Sequence, residues 1–122
     1  MTQDEPLKYT EKIRVLIVDD SAVMRRIIMS SLLAHPEIEV IGTSENGLEA
    51  IADIKRIKPD LVTLDIEMPE MDGLTALKEI RLFDRRLPII MFSSLTQRGA
   101  EATIDALTLG ASDYVGKPTN LA

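Results

Sequence analysis

Short runs of β-branched and other apolar residues alternate along this chain with longer segments whose apolar residues recur at helical spacing. The runs IRVLIVDD, IEVIGT, DLVTLD, PIIMFS and ASDYVG predict five strands, at residues 13–20, 38–43, 60–65, 88–93 and 111–116. Because nearly continuous apolar strands joined by helices form parallel sheets covered on both faces, the alternation indicates a doubly wound α/β fold. We expect a five-stranded parallel sheet in the flavodoxin-like order 2-1-3-4-5.

Four helices are predicted between these strands, each from apolar residues on one face. The apolar residues are Met24, Ile27, Ile28 and Leu32; Ala50, Ile51, Ile54 and Ile57; Leu74, Leu77 and Ile80; and Ala100, Ile104 and Leu107. We predict that Asp72 caps the start of the third helix and that Gly110 ends the fourth. In the fourth helix, Ile104 and Leu107 are expected to face the core.

The chain is interpreted as one domain, residues 13–122, preceded by a polar, flexible tail at residues 1–12. A fifth helix is expected after the fifth strand, and the sequence reaches Ala122 without one, so we interpret the chain as the N-terminal part of a longer protein. The sheet face that this helix would cover is expected to be exposed. Exposed apolar faces favour association, and we therefore predict dimers or altered packing.

Composition excludes several classes of partner and site. The net charge of −6 argues against nucleic acid and anionic membranes as partners. No apolar run approaches the roughly 20 residues of a membrane span, so membrane insertion is not expected. The absence of cysteine excludes disulfides and thiolate metal sites and fits a cytoplasmic protein.

Polar residues lie at the carboxyl ends of the predicted strands. In open parallel sheets, ligands bind at these ends of the strands. Asp19 and Asp20 end the first strand, Asp65 the third and Ser93 the fourth, and Lys117 follows the fifth. Three neighbouring carboxylates repel one another unless a cation binds them, and oxygen ligands without His or Cys suit Mg²⁺. With a lysine and a hydroxyl beside them, they predict a site for phosphoryl transfer to a carboxylate.

Each of these residues alone has an ordinary structural explanation. An aspartate at a strand end usually caps a helix or a turn, and a lysine before proline is usually a solvated turn residue. Glu67, Glu70 and Asp72 could simply form an exposed acidic loop. The joint placement of the polar residues on successive strand ends is what favours a phosphoacceptor site.

The segments VDDS, DIEMPEMDG, MFSS and YVGKP, in this order, resemble those of response-regulator receiver domains over residues 13–119. The resemblance implies that Asp65 is phosphorylated by a histidine kinase. It also implies that Asp20 and Asp65 ligate Mg²⁺ directly, that Asp19 acts through water, and that Glu67 contributes its backbone carbonyl.

The same resemblance assigns roles around the phosphoryl group. Ser93 would close onto it, Lys117 would pair with it, and Tyr114 would be a rotating aromatic switch. The peptide bond between Lys117 and Pro118 is expected to be cis, which suits a tight turn.

Two longer segments, VTLDIEMPEMDGLTALKEI and SSLTQRGAEATIDALTLGASDYVGKP, resemble the regulatory half of CheB-type chemotaxis protein-glutamate methylesterases. This narrower resemblance implies a CheA-like kinase as phosphoryl donor and an attached methylesterase domain that acts on chemoreceptors. In such proteins the unmodified receiver covers the esterase site, and phosphorylation relieves that cover. Because no GFSMG-like nucleophile turn occurs in the sequence, we expect no methylesterase activity from this chain by itself.

Other functions are compatible with parts of the pattern. The chain could be a stand-alone receiver that binds partners on phosphorylation, or the receiver of a transcription factor. Aspartyl phosphatases generally have a second aspartate two residues after the nucleophile, whereas this chain has Glu67 there. A flavodoxin-like electron carrier would need a hydroxyl-rich phosphate loop after the first strand, and DDSAVM does not supply one.

Overall fold

The computed structural model describes residues 11–94 and 96–117, in which strands and helices alternate. The strands are β1 (Ile13–Val18), β2 (Ile38–Ser44), β3 (Leu61–Asp65), β4 (Ile89–Ser93) and β5 (Asp113–Gly116). The helices are α1 (Ala22–Leu33), α2 (Gly47–Ile57), α3 (Gly73–Phe83) and α4 (Gln97–Thr108). All strand pairs are parallel, in the order β2-β1-β3-β4-β5, which confirms the predicted fold and strand order.

The predicted strands differ from the observed ones mainly at their ends. The first strand stops at Val18, two residues before the predicted end, because Asp19 turns its carboxylate back onto the chain. Its Oδ1 accepts a hydrogen bond from the Ser21 backbone N–H at 2.9 Å. The predicted tail lies mostly outside the described residues, as does the predicted cis bond to Pro118.

The apolar residues of the sheet point alternately to two sides and form a core on each. The larger cluster, beneath α2 and α3, contains Leu16, Leu64, Leu77 and Ile80, all fully buried. The smaller one lies beneath α1 and includes Ile17. Burying one such side chain contributes about 1.5–3 kcal/mol, so the core stabilises the strands that end at the site.

The fourth helix packs on the sheet through small residues, and the prediction that Ile104 and Leu107 face the core is wrong. Ile104 is 65% exposed and Leu107 is 41% exposed. The buried residues of α4 are Gly99, Thr103 and Ala106. A Cβ atom on Gly99 would lie only 2.3 Å from the Ser94 carbonyl oxygen. The helix therefore approaches the end of β4 more closely than a face of large side chains would permit.

Two arginines attach loops to the helices and sheet. The Arg14 guanidinium donates to the carbonyl oxygens of Ile57 and Lys58, both at 2.7 Å, and so satisfies carbonyls at the end of α2. The Arg81 guanidinium donates two hydrogen bonds, of 3.0 and 2.9 Å, to the carbonyl oxygen of Gly110. Arg81 thereby connects α3 to the turn that follows α4.

Both predicted helix ends are observed. The Asp72 carboxylate accepts a 2.8 Å hydrogen bond from the Thr75 N–H at the start of α3. Gly110 follows the end of α4 with a φ of 109°, a left-handed conformation that glycine adopts without strain. In the part of the chain that the structure describes, no helix is long and apolar enough to cross a membrane.

An apolar groove of about 310 Å³ lies on the α1 side of the sheet, between α1 and β5. It is lined by Ile27, Phe92 and Val115 among others, and Val115 is exposed. That a fifth helix would cover an exposed sheet face, and that this exposure leads to dimers or altered packing, stay predictions.

Candidate functional site

Three carboxylates meet where β1 and β3 end. Asp19 follows β1 directly and Asp65 is the last residue of β3, and both side chains are buried, with 0% and 1% exposure. Asp20 is exposed beside them. One carboxylate oxygen from each of the three lies within 4.8 Å of the others. Adjacent parallel strands thus bring Asp65 beside Asp19 and Asp20, which precede it by 46 and 45 residues in the sequence, at the carboxyl ends of the strands as predicted.

Lys117, which follows β5, enters this cluster. Its Nζ lies 2.7 Å from Asp65 Oδ1 and 3.9 Å from Asp19 Oδ2. The backbone N–H of Lys117 donates to the Ser93 carbonyl oxygen at 2.8 Å, which continues the β4–β5 pairing. The ladder between β4 and β5 therefore fixes where the ammonium group lies.

Each buried carboxylate keeps one oxygen without a hydrogen-bond partner among the described residues. Asp65 Oδ1 accepts from Lys117 and, at 3.2 Å, from the Glu67 N–H, while Asp65 Oδ2 has no such partner. Asp19 Oδ2 likewise has none. An unsatisfied buried polar atom costs about 1–3 kcal/mol, and more if it is charged. The cluster is therefore incomplete without a positively charged or donating ligand.

The protonation equilibria show the same imbalance. Burial is the largest influence on Asp65, and together with the charge of Asp19 it outweighs the hydrogen bond from Lys117 and raises the pKa of Asp65 to about 7. Burial also raises the pKa of Asp19, against the hydrogen bond from Ser21. Burial alone would lower the pKa of Lys117, but the hydrogen bond and charge of Asp65 raise it. One lysine, fully charged, does not compensate for two buried carboxylates.

The loop after β3 is shaped around the Asp65 backbone. A Cβ atom on Gly73 would lie 2.1 Å from the Asp65 carbonyl oxygen, so glycine is required where α3 begins. The Gly73 N–H donates to the Ile66 carbonyl oxygen at 2.7 Å. Glu67, a predicted metal ligand through its carbonyl, is exposed, and its backbone N–H contacts Asp65 Oδ1. Its side chain takes no part in the carboxylate cluster.

The predicted switch residues lie on either side of a second groove. Ser93, the last residue of β4, is 5% exposed, and Tyr114 on β5 is half exposed. Both line a groove of about 380 Å³. Ser93 also borders a groove of about 360 Å³ beside Glu67 and Asp72. It therefore stands between the carboxylate cluster and the surface around Tyr114.

Sequence reasoning missed two residues near the site. Thr103 Oγ1 lies 2.8 Å from Ser93 Oγ, inside the protein. The feature of the sequence that indicates it is a set of small residues at helical spacing, Gly99, Thr103 and Ala106. The larger apolar residues beside them led to a different prediction of the inner face of the helix. Arg25 donates to the Asp19 carbonyl oxygen at 2.7 Å. Nothing in its spacing marked it, since an arginine on a predicted helix is most often solvated.

Comparisons with known proteins all indicate the same family. The family profile described as "Response regulator receiver domain" matches residues 15–122. A protein-glutamate methylesterase/protein-glutamine glutaminase of Nocardioides sp. is 57% identical over 109 residues, which are 89% of this chain and 30% of the relative. The corresponding protein of Trichodesmium erythraeum is 56% identical over 90% of this chain and 31% of its own length. The chain thus spans about a third of the length of these relatives.

Solved structures agree with the sequence comparison. The response regulator domain of Thermotoga maritima CheB superimposes with a TM-score of 0.82 at 44% identity, covering 90% of this chain and 81% of that domain. In a CheX–CheY–BeF3–Mg²⁺ complex from Borrelia burgdorferi, the matching chain gives a TM-score of 0.80 at 34% identity, covering 93% of this chain and 84% of the other.

Proposed function

Because this chain belongs to the response regulator receiver domain family, we propose that it is the phosphoacceptor domain of a chemotaxis two-component system and that Asp65 takes up the phosphoryl group. The observation that carries the proposal is the Asp65 carboxylate itself. It is buried and held through one oxygen by Lys117 at 2.7 Å, and its other oxygen has no hydrogen-bond partner among the residues that the structure describes. A carboxylate held this way destabilises the fold, which is typical of a functional site whose ligand removes the destabilisation.

The donor set fits a magnesium ion. Asp19, Asp20 and Asp65 each bring a carboxylate oxygen within 4.8 Å of the others, and Asp19 and Asp65 each keep an oxygen without a hydrogen-bond partner among the described residues. These are hard oxygen ligands, and the Glu67 carbonyl is proposed to complete them. When bound, Mg²⁺ supplies charge neutralisation for the carboxylates and the phosphoryl oxygens. The CheY complex with BeF3 and Mg²⁺ supports this assignment by analogy.

The chain's own residues would position the reacting groups. A carboxylate oxygen of Asp65 attacks the phosphorus of a kinase phosphohistidine, and the P–N bond breaks with its electron pair passing to the imidazole. Lys117, already at the cluster, pairs with a phosphoryl oxygen. Ser93 donates its hydroxyl to another. Tyr114 then occupies a different position in its groove and changes the surface formed with α4.

The sequence relatives suggest what the domain controls. Since proteins named protein-glutamate methylesterase/protein-glutamine glutaminase match at 56–57% identity and the chain spans about a third of them, we place it as the regulatory part of such an esterase. The phosphoryl donor would be a CheA-like histidine kinase. The attached esterase domain, which this receiver covers until it is phosphorylated, would demethylate chemoreceptors in the cytoplasm. Neither nucleic acid nor membrane insertion belongs to this function.

Binding of beryllofluoride with Mg²⁺, followed by NMR of backbone amides, tests the proposal. The wild-type chain and Asp60→Asn should bind, whereas Asp65→Asn should not. Asp60 is a matched control because it lies at the opposite end of the same strand, and an asparagine there can still accept the 2.9 Å hydrogen bond from the Arg14 N–H. Binding by Asp65→Asn equal to that of the wild type would disprove the acceptor assignment.

A further inference from the structure

A groove of about 320 Å³ lies at the end of the sheet opposite the carboxylate cluster, where α2 and α3 end and the chain enters β3 and β4. Three of the residues that line this α2–α3 groove, Ile54, Pro59 and Leu87, are apolar and buried. Phe83, the last residue of α3, also lines it and is 41% exposed. A concave apolar surface that includes an exposed aromatic ring is suited to binding an apolar side chain.

Cations surround the α2–α3 groove. Lys55 and Lys58 line it and are exposed, and the Lys55 Nζ lies 4.7 Å from the centre of the Phe83 ring. Because a cation at this distance is attracted to the face of an aromatic ring, the ammonium group is held at the groove. Arg85 and Arg86, both exposed, follow α3 in the turn that leads to β4.

Acidic residues do not cancel this local charge. Residues 53–60 and 78–86 together contain seven basic and four acidic residues, whereas the whole chain has a net charge of −6. Asp84 lines the groove, but its Oδ1 accepts hydrogen bonds from the backbone N–H groups of Arg86 and Leu87, at 2.9 and 3.0 Å. Asp53 is paired with Arg56 at 2.9 Å. The surface around the groove is therefore basic, in contrast to the rest of the molecule.

The backbone of Lys58 supports a role for its side chain at the groove. Its φ of 49° is left-handed, at a helix end where glycine or asparagine is the usual residue. The Arg14 guanidinium donates to the Lys58 carbonyl oxygen at 2.7 Å and so helps to hold this turn in place. A lysine in a conformation that disfavours a side chain is a local strain of the kind found at functional positions.

We propose that the α2–α3 groove is a docking site for a protein partner, which inserts one apolar side chain flanked by carboxylates. Charge complementarity selects this occupant. A nucleic acid or an anionic membrane extends beyond the basic surface and meets the field of a chain with net charge −6, whereas a short acidic segment contacts the basic surface alone. The proposal does not rest on the acceptor role of Asp65, which lies at the other end of β3.

The test is an NMR titration of the metal-free chain with a nine-residue peptide. The peptide has tryptophan at its centre, two glutamates on each side, and glycine and serine at its ends. Backbone amides of residues 54–58 and 82–87 should shift. A peptide with glutamine in place of glutamate and one with glycine in place of tryptophan should both bind more weakly, because each lacks one part of the proposed recognition. Added NaCl should weaken binding of the glutamate peptide by screening exposed charges.

Two variants of the chain sharpen the test. Lys55→Gln combined with Lys58→Asn removes two ammonium groups, and asparagine tolerates the left-handed conformation at position 58. An exposed ion pair typically changes an equilibrium constant by about 1.4-fold to fivefold, so this double variant should bind the glutamate peptide about twofold to twentyfold more weakly. It should bind the glutamine peptide as the wild type does. Arg26→Gln, a matched loss of charge on the exposed surface of α1, should leave both affinities unchanged.

Thermal melts establish that each variant is folded, and Lys55→Gln alone supplies the comparison if the double variant is not. Binding that requires both tryptophan and glutamate and is weakened in the double variant supports the proposal. It is overturned if residues 54–58 and 82–87 do not shift at millimolar peptide, or if all three peptides bind equally. Tighter binding of phosphatidylglycerol vesicles or duplex DNA, lost in the same double variant, would also overturn it in favour of a general polyanion surface. None of these results affects the role of Asp65, which the beryllofluoride experiment tests separately.

Discussion

The carboxyl group of Asp65 is governed by two opposing effects at the level of single atoms. Burial favours its neutral form, and the ammonium of Lys117 at 2.7 Å favours its charged form. Burial dominates, and the pKa of Asp65 rises to about 7. In the unfolded chain the same group has its ordinary value of 3.8. Above pH 7 the folded protein therefore contains a buried carboxylate charge that water solvates better in the unfolded chain.

This balance predicts a pH-dependent gain in stability from Asp65→Asn. Between pH 4 and pH 7 the folded state binds the Asp65 proton more strongly than the unfolded state. The contribution of this proton to the free energy of unfolding is therefore fully present below pH 4 and is lost as pH rises through 7. Without metal, Asp65→Asn should gain roughly 2–4 kcal/mol relative to the wild type on going from pH 4.5 to pH 8. Urea unfolding in the presence of a chelator measures it.

Asp60→Asn is the control for this measurement, because Asp60 is exposed at the opposite end of β3. Its free energy of unfolding relative to the wild type over the same pH range is the reference with which that of Asp65→Asn is compared. A difference between Asp65→Asn and the wild type that is constant with pH would show that Asp65 is charged in the folded state at every pH tested.

Residues of the site were predictable to different degrees. Asp19 and Asp65 are recognisable because each lies at the carboxyl end of a buried strand, and strand ends in a parallel sheet have a known location. Thr103 was not, because a threonine on a predicted helix contacts Ser93 only at one rotation of that helix. That rotation depends on whether large or small side chains pack against the sheet, and the hydrophobic pattern does not distinguish them.

Among the elements, α4 has the most unusual packing, since it lies on the sheet through small residues. The prediction of its inner face from Ile104 and Leu107 failed because hydrophobicity alone favours large residues. Close approach to the end of β4 favours Gly99 instead, where a Cβ would lie 2.3 Å from the Ser94 carbonyl oxygen. The three central strands were predicted correctly because their burial leaves their sequences almost continuously apolar, whereas β5 is largely exposed and was predicted from its place in the alternation.

Replacing Gly99 by alanine should destabilise the protein by about 1–3 kcal/mol. Alanine normally improves a helix by up to about 1 kcal/mol over glycine, but here its methyl group would overlap backbone atoms that cannot rotate away. Chemical denaturation followed by circular dichroism provides the measurement. The matched control is Gln97→Ala, exposed on the same turn of α4, which should change stability by no more than about 0.5 kcal/mol. Stabilisation by Gly99→Ala would contradict the close approach of α4 to β4.

At the scale of the whole molecule, the sheet order determines that acids from two strands and a lysine from a third converge. Neighbouring β1 and β3 place Asp19 beside Asp65, and β5 places Lys117 next to both. The strand order could be predicted from the alternation of strands and helices together with the position of the polar residues. What could not be predicted is that Asp19 and Asp65 each keep an oxygen without a hydrogen-bond partner within residues 11–94 and 96–117, because this depends on side-chain rotamers.

Magnesium should raise the melting temperature of the chain. A ligand that binds only the folded state stabilises it by about 1.4 kcal/mol at ten times its dissociation constant, which corresponds to a shift of roughly 5 °C for a domain of this size. Thermal melts with MgCl2 and with NaCl at the same ionic strength separate binding from screening. Asp20→Asn should respond less to Mg²⁺ and be at least as stable as the wild type without it. An equal response of both proteins would remove Asp20 from the metal site.

The contacts at the two ends of α4 have a mechanical consequence. Gly99 fixes its first turn against the Ser94 backbone, and Arg81 holds the Gly110 carbonyl just beyond its last turn. A helix held at both ends can rotate about its long axis, but it cannot slide along that axis without losing one of these contacts. We therefore expect that a change at the carboxylate cluster would rotate α4 about its axis and would not translate it.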